Sequence, residues 1–331
     1  MLTLANGSRA AGYEVAVAAA PGSPPDGFPG PVFPLPMLRR RAWLVPKAAG
    51  ALRAALRRWR PQVVQAYNPG MAAVTAMATR RGSRPPAFVS VRGLPNEDYA
   101  RAARLLRWTG LPVLACGPGV AAGLQEAGCP IIGTITNGVS APPPSVSRAA
   151  FLGERDVPPH ARLVVCVGRL APPKNQGLAI EAVAGIPDSV LVLVGDGPDR
   201  RRLQDHAAGA GGRVLFTGHR PDARAIMGAA DVVVIPSRSE GLSNVALEAL
   251  AAGRPIVATE VRGNRELLAD GRTALLVPPD DPQAMSEAIR RILEDPALGE
   301  RLGSEGRREA ARYSVDAMIR RYLELYRRLA S

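Results

Sequence analysis

Residues 231 to 258, DVVVIPSRSEGLSNVALEALAAGRPIVA, constrain the fold more tightly than any other stretch. Val232 to Ile235 is an apolar run without alternation, the pattern of a parallel strand buried on both faces. A polar turn, Pro236 to Ser243, follows it. The small and apolar residues from about Asn244 to Ala252 then predict a helix stopped by Gly253. Pro255 to Ala258 predicts a second strand, completing a strand-helix-strand unit.

This unit carries two carboxylates, Glu240 in the turn and Glu248 inside the apolar helix. An ionised carboxylate in a buried helix is costly unless something hydrogen-bonds it, and a ligand rich in hydroxyl groups would do so. The turn also ends at a helix N-terminus, where free N–H groups and the helix dipole favour a phosphate. A solvent-facing Glu248 and an ordinary loop Glu240 are the alternative reading.

The rest of the chain repeats the same alternation. Strands are expected at Tyr13–Ala20, Gln62–Tyr67, Ala87–Arg92, Pro112–Cys116 and Ile131–Thr136, after a short opening helix. Beyond a linker at 141–147, APPPSVS, strands are expected at Leu163–Val167, Val190–Val194, Val214–Thr217 and Ala274–Val277, with helices between them. Alternating strands and helices imply parallel sheets and an α/β fold. A chain of 331 residues has room for two such domains. In the basic stretch 37–60, Arg39, Arg40, Arg41, Trp43, Leu44, Arg53, Leu56, Arg57, Arg58 and Trp59 lie close together, and Pro46 is expected to break it into two helical pieces. The final helix, about Val315 to Leu329, places Met318, Ile319, Tyr322, Leu325, Tyr326 and Leu329 at helical spacing, which suits a packing face.

Several function classes are disfavoured at this level. No stretch approaches the roughly 20 apolar residues of a membrane span, and the first residues do not read as a charged-then-apolar leader. Cys116, Cys129 and Cys166 fit no zinc or redox spacing and read as buried thiols in a reducing compartment. Asp281-Pro282 is a helix N-cap followed by proline, not a metal-binding Asp-x-Asp. The net charge of +13 is uneven: residues 1–150 hold 17 Lys and Arg against 5 Asp and Glu, and the remainder is nearly balanced. That asymmetry directs one half toward an anionic surface, although a solvated basic face is the alternative. A nucleic-acid module would need aromatic-interleaved basic strands, which are not recognisable here.

Further candidates follow strand ends. Gly168-Arg169-Leu170 comes directly after LVVCV, with Lys174-Asn175 just beyond. Ligands of doubly wound sheets bind at the carboxyl ends of strands, and an arginine fork with a lysine point charge suits a diphosphate. Two exposed loop cations are the alternative. Gly195-Asp196-Gly197-Pro198 begins a dinucleotide-type fingerprint but has Arg200 at the third glycine position, so a tight turn is the better reading. His219, in FTGHRP, is the one histidine placed to meet a ligand, and an ordinary surface histidine is the alternative.

Taken together, VGRL followed by KN, then GDGP, FTGHRP and PSRSEGLSNVALEALAAGRPIVAT with Glu240-x7-Glu248 resemble glycosyltransferase family 4. These are retaining, nucleotide-sugar-dependent enzymes. The resemblance is strong over 160–295 and weaker in PQVVQAYNPG, FVSVRG and ITNGV. It implies a GT-B fold: two Rossmann-like domains facing across a cleft, at 1–142 for the acceptor and 148–312 for the donor, with the last helix, 313–331, crossing back.

In that frame Arg169 and Lys174 would hold the donor diphosphate beside Gly168. Glu240 would contact the transferring sugar, and Glu248 the ribose hydroxyls. Backbone groups around Gly241, Leu242 and Ser243 would meet sugar or phosphate, and His219 and Arg220 would border the base. Neither a metal nor another cofactor is expected. The partners implied are a nucleotide-sugar donor and a glycan or lipid-linked acceptor, with no nucleic acid. The expected location is cytoplasmic, peripheral on the inner face of an anionic membrane.

Two departures stand against the family pattern. The chain opens at the helix that follows the family's first strand and Gly-rich loop, which suggests a start assigned too late and a weakened N-terminal sheet. Gln65-Ala66-Tyr67 and Arg92-Gly93 stand where the family often carries histidine. An impaired nucleotide-sugar-binding remnant and a nucleotide-sugar epimerase are therefore the alternative functions. A phosphorylase is disfavoured, because Lys47 and Lys174 are the only lysines and neither suits a Schiff base.

Overall fold

The computed structural model describes residues 1–21, 28, 30–36, 42–79, 85–94, 98–155, 157–209 and 213–331. The chain divides into two compact units, Met1–Gly138 together with Val315–Ser331, and Val139–Ser314. Arg39, Arg40 and Arg41 of the basic stretch lie outside the described residues.

The first unit opens with α1 (Leu2–Ala10), followed by β1 (Val17–Ala19) and β2 (Val32–Pro34). Next come α2 (Val45–Trp59), β3 (Val64–Ala66), α3 (Pro69–Thr79), β4 (Ala87–Val91), α4 (Tyr99–Thr109), β5 (Val113–Ala115), α5 (Pro118–Glu126) and β6 (Gly133–Thr134). Its strands make a two-stranded sheet, β1-β2, and a four-stranded sheet, β3-β4-β5-β6, with every pairing parallel. The strands are shorter than the apolar runs that announced them, and Tyr13 to Val15 stay outside β1.

Pro46 does not break a helix. It sits in the first turn of α2, after a 3-10 turn at Ala42–Leu44, where a missing N–H costs nothing. Arg53, on the same helix, is part-buried. Its Nη2 donates to Met77 O at 2.7 Å and closes the end of α3.

The second unit contains α6 (Arg148–Gly153), β7 (Arg162–Val167), α7 (Gln176–Ala184), β8 (Ser189–Val194), α8 (Arg200–Gly209) and β9 (Val214–Gly218). It continues through α9 (Ala223–Gly228), β10 (Val232–Ile235), α10 (Asn244–Ala252), β11 (Ile256–Thr259), α11 (Arg262–Arg265), β12 (Leu275–Val277), α12 (Pro282–Glu294) and α13 (Pro296–Ala310). The strands form one parallel sheet in the order β12-β11-β10-β7-β8-β9. Val164, Leu191, Leu193, Val232, Val234 and Val257 pack against Leu178, Met285 and Ile289 of the covering helices. β8, β10 and β11 are buried along their whole length, which explains their unbroken apolar runs. Each fully buried side chain of this kind contributes roughly 1.5–3 kcal/mol.

The last helix, α14 (Val315–Ala330), belongs to the first unit. Its Met318, Tyr322 and Leu325 form a core with Leu4 of α1, Phe88, Leu114 and Ile135. Tyr322 shares a hydrogen bond with Ser90 at 3.2 Å, and the Tyr326 hydroxyl donates to Gln65 Oε1 at 2.6 Å. The helical spacing seen in the sequence is therefore a packing face. Leu325→Ala is expected to destabilise this unit by ~2–4 kcal/mol, read as a lower urea midpoint for its transition.

Candidate functional site

Every strand of the second unit points its carboxyl end the same way, so the turns after β7, β8, β10 and β11 line one edge of the sheet. Two of these turns pack on each other through glycine. A Cβ on Gly195 would lie 2.0 Å from Gly168 O, and one on Gly197 would lie 2.1 Å from Leu170 O. Leu170 N donates to Asp196 O at 3.0 Å, and Asp199 N to Leu170 O at 3.1 Å. The GDGP glycines are explained by this backbone contact, which holds the Gly168–Leu170 turn in place.

Beyond that turn the chain makes a 3-10 turn at Pro172–Lys174 and enters α7. The polar turn after β10 runs beside it, since Arg238 N donates to Pro173 O at 2.9 Å. The two turns place Lys174 Nζ 2.6 Å from Glu240 Oε1. Ser237 Oγ donates to the same oxygen at 2.8 Å. The Glu240 side chain is only 8% exposed and that of Lys174 is 31% exposed. A carboxylate this buried is tolerated because a cation and a hydroxyl both satisfy it. Lys174, Glu240 and Ser237 line a cavity of about 10 Å³ with Cys166, Gln176 and Val245. Burial pushes the Cys166 thiol up to about 12, against the pull of Lys174, so it stays protonated and unreactive at neutral pH.

The remaining candidates fall in different settings. Arg169 is exposed, and its guanidinium bonds to none of the described residues. Its backbone is tied to Lys174's turn, because Gln176 Nε2 donates to Arg169 O at 2.9 Å. Gly168 directly follows β7, with a φ of 153°. Gly241 follows Glu240, Leu242 is buried, and Ser243 caps α10 by accepting from Ala246 N at 3.3 Å. His219 is exposed with no described partner. Arg220 grips Asp222 through two hydrogen bonds of 2.7 Å, which hold the Asp222 carboxyl below its usual range.

Glu248, one turn into α10, is part-buried and accepts no hydrogen bond from the described residues. Burial raises its carboxyl above the usual value, and the Arg224 charge opposes this. Glu240 and Glu248 thus differ in kind: one is satisfied within the fold, whereas the other, part-buried, takes no hydrogen bond from the described residues.

Several residues that organise this edge carry no motif. Thr259 Oγ1 donates to Ser237 O at 2.5 Å, and Asn264 Nδ2 to Thr259 O at 2.8 Å, all in a dry interior. A Cβ on Gly263 would lie 2.5 Å from Glu240 O, so glycine there lets α11 meet the Glu240 turn closely. The available signal was the occurrence of Thr259 and Asn264 as polar residues next to an apolar strand.

Sequence models of two families match the chain, "Glycosyltransferase Family 4" over residues 1–142 and "Glycosyl transferases group 1" over residues 161–295. Among curated proteins, the lipopolysaccharide core biosynthesis glycosyltransferase LpsD of Rhizobium meliloti (strain 1021) is 35% identical over 229 residues, covering 67% of this chain and 65% of LpsD. Among solved structures, sucrose-phosphate synthase from Thermosynechococcus elongatus superposes with a TM-score of 0.87 at 25% identity, covering 98% of this chain and 91% of that one. HepE of Anabaena, solved in complex with UDP and glucose, superposes with a TM-score of 0.80 at 20% identity, covering 95% and 99%.

The fold is therefore that of the GT-B glycosyltransferases, an α/β chain of two Rossmann-like units. The chain belongs to glycosyltransferase family 4, with a group 1 second half. It spans between half and two thirds of the length of LpsD and of two further curated relatives.

Two measurements test the site's electrostatics. Lys174→Met strands the Glu240 carboxylate and is expected to cost about 1–3 kcal/mol of stability. Lys174→Met with Glu240→Gln should recover most of that loss in a double-mutant cycle. For Glu248 the raised folded value means that stability is full below the ordinary glutamate range and is lost as pH rises through the folded value. Glu248→Gln should match or exceed the wild-type melting temperature at pH 7, with the difference vanishing as pH falls.

Proposed function

We propose that this protein moves a sugar from a nucleoside diphosphate sugar to a hydroxyl of a glycan or lipid-linked acceptor, with retention of anomeric configuration. The observation that carries this reading is the buried Lys174–Glu240–Ser237 cluster at the carboxyl edge of the parallel sheet, with the unpartnered Glu248 carboxylate in the following helix. In the reaction the bond between the sugar's anomeric carbon and the diphosphate oxygen breaks. A bond from the acceptor oxygen to that carbon forms, and the hydroxyl proton leaves with the products.

Negative charge gathers on the departing diphosphate. Lys174 and the exposed Arg169 are the cations positioned to stabilise it, and fixed charges aimed at developing charge lower the barrier. Donor binding draws Lys174 toward phosphate and leaves Glu240 to accept from sugar hydroxyls. Glu248 accepts from the ribose hydroxyls, which supply the donors that its setting lacks. Backbone N–H groups at Gly241 to Ser243 and the N-terminus of α10 add to the anion cradle. His219 and Arg220 border the base. With two side-chain cations in place the reaction needs no metal, and activity is expected to persist in excess EDTA.

The first unit selects the acceptor. Its exposed Trp43, Lys47, Arg57 and Arg58 around α2, with Arg101, Arg104 and Trp108 on α4, favour an anionic membrane surface carrying the acceptor. No helix among the described residues is long and apolar enough to cross a membrane. Flotation with vesicles containing phosphatidylglycerol, but not with phosphatidylcholine alone, is the expected result.

A thermal-shift screen against UDP, GDP, ADP and their common sugars tests the donor reading. One nucleotide should raise the melting temperature by mass action, about 2.7 kcal/mol of stabilisation at a hundredfold excess over Kd, and Glu248→Ala should weaken the shift. A flat screen on a well-folded protein would sink the reading. Proton NMR of the first product formed should show the donor's own anomeric configuration.

A further inference from the structure

The second unit contains a staple around Lys174 that no motif announces. Four non-glycine residues among those described adopt a left-handed backbone: Arg60, Asn175, Asp188 and Asp280. Two of them meet. Asn175 Nδ2 donates to Asp280 Oδ1 at 2.9 Å across 105 residues of sequence. Arg238 Nε donates to the same oxygen at 2.7 Å. Non-glycine residues hold this conformation at a steric cost, and asparagine and aspartate bear it best because their short side chains can bond locally.

The partners of Asp280 have telling neighbours. Asn175 is buried, directly follows Lys174 and is the first residue before α7. Arg238 lies in the turn that carries Glu240, two residues before it, and its own N–H donates to Pro173 O at 2.9 Å, on the other side of Lys174. The ion pair between Lys174 and Glu240 is thus bracketed: a backbone hydrogen bond joins its two turns, and one carboxylate from the turn before α12 ties down a residue in each. Asp281, the next residue, caps α12 by accepting from Ala284 N at 2.9 Å, so the Asp280 turn is itself anchored to a rigid helix.

We propose that Asp280 is a positioning residue for the Lys174–Glu240 pair. It does not touch the donor. By accepting from Asn175 and Arg238 together, it fixes the separation of the two turns and so aims the ammonium group. This rests on the donor reading above only where nucleotide is the readout.

The chain makes a direct test possible, because its only lysines are Lys47 and Lys174. Lys47 is exposed on α2 in the other unit and serves as an internal standard. Acetylation by an amine-reactive ester, followed site by site with mass spectrometry, should label Lys174 slowly relative to Lys47 in the wild type. Asp280→Gly keeps the left-handed backbone comfortable and removes the acceptor. It should raise the Lys174-to-Lys47 ratio about two- to tenfold, the worth of a hydrogen bond of ordinary strength, with little change in melting temperature. Asp280→Asn retains the oxygen and should restore the wild-type ratio.

In a parallel titration, the nucleoside diphosphate that stabilises the wild type should bind Asp280→Gly about tenfold more weakly, and Asp280→Asn nearly as well as wild type. An unchanged labelling ratio in a folded Asp280→Gly overturns the proposal, as does failure of Asp280→Asn to rescue. Should Asp280→Gly fail to fold, Arg238→Leu removes one of the two donors and carries the same comparison. If no nucleotide binds the wild type, the donor reading fails, while the labelling ratio still decides the role of Asp280.

Discussion

The strand pairings in both units are all parallel, and the rest of the molecule follows from this constraint. A parallel strand needs a crossover before the chain can pair again, so strands must alternate with covering segments and bury both faces. The carboxyl ends of all strands in a sheet then lie along one edge. Lys174 and Glu240 are 66 residues apart in the chain and Asn175 and Asp280 are 105 apart, yet each pair meets at that edge. The site is a consequence of strand direction before it is a consequence of any side chain.

Within it, the two carboxylates divide the electrostatic work. Glu240 is nearly dry and is held by Lys174 and Ser237, so the fold satisfies it without a ligand. Glu248 sits in a helix of small residues with no donor among the described residues, and burial opposes its ionisation. A group kept at some cost to stability is a common mark of a functional position, because selection for activity tolerates local strain that selection for stability would remove. The first unit uses its polar groups differently. Arg53 and the exposed Arg107 donate to carbonyls at helix ends, and Tyr322 and Tyr326 pack together on the inner face of α14.

Much of this was legible in the chain. The helix from Asn244 to Ala252 and its stop at Gly253 coincide with the observed element and its left-handed cap, because a small-residue run and a glycine leave little choice. The face of α14 was readable from its spacing. The candidates Gly168, Arg169, Lys174 and Glu240 stand in turns after strands, where residues are exempt from the demands of the core, whereas Glu248 lies inside α10. Pro46 leaves α2 intact because proline breaks a helix only after its first turn, and the local sequence does not reveal where that turn lies. The tight turn expected at GDGP is the one observed, and its glycines answer to the neighbouring turn.

By itself the sequence determined the α/β class, the parallel order implied by unbroken apolar runs, and the residues able to carry charge at the carboxyl edge of the second sheet. These are local properties: period, turn chemistry and residue type act over a few positions. Only the tertiary structure decided that Lys174 neutralises Glu240, that Ser237 joins them, that Glu248 takes no hydrogen bond from the described residues, and that Asp280 ties Asn175 to Arg238. Each is a meeting of turns that the chain separates widely, or the lack of one. Nothing in the spacing of such residues encodes their distance until the sheet has closed, since it is burial between strands and helices that brings the turns together and makes an unpaired charge costly.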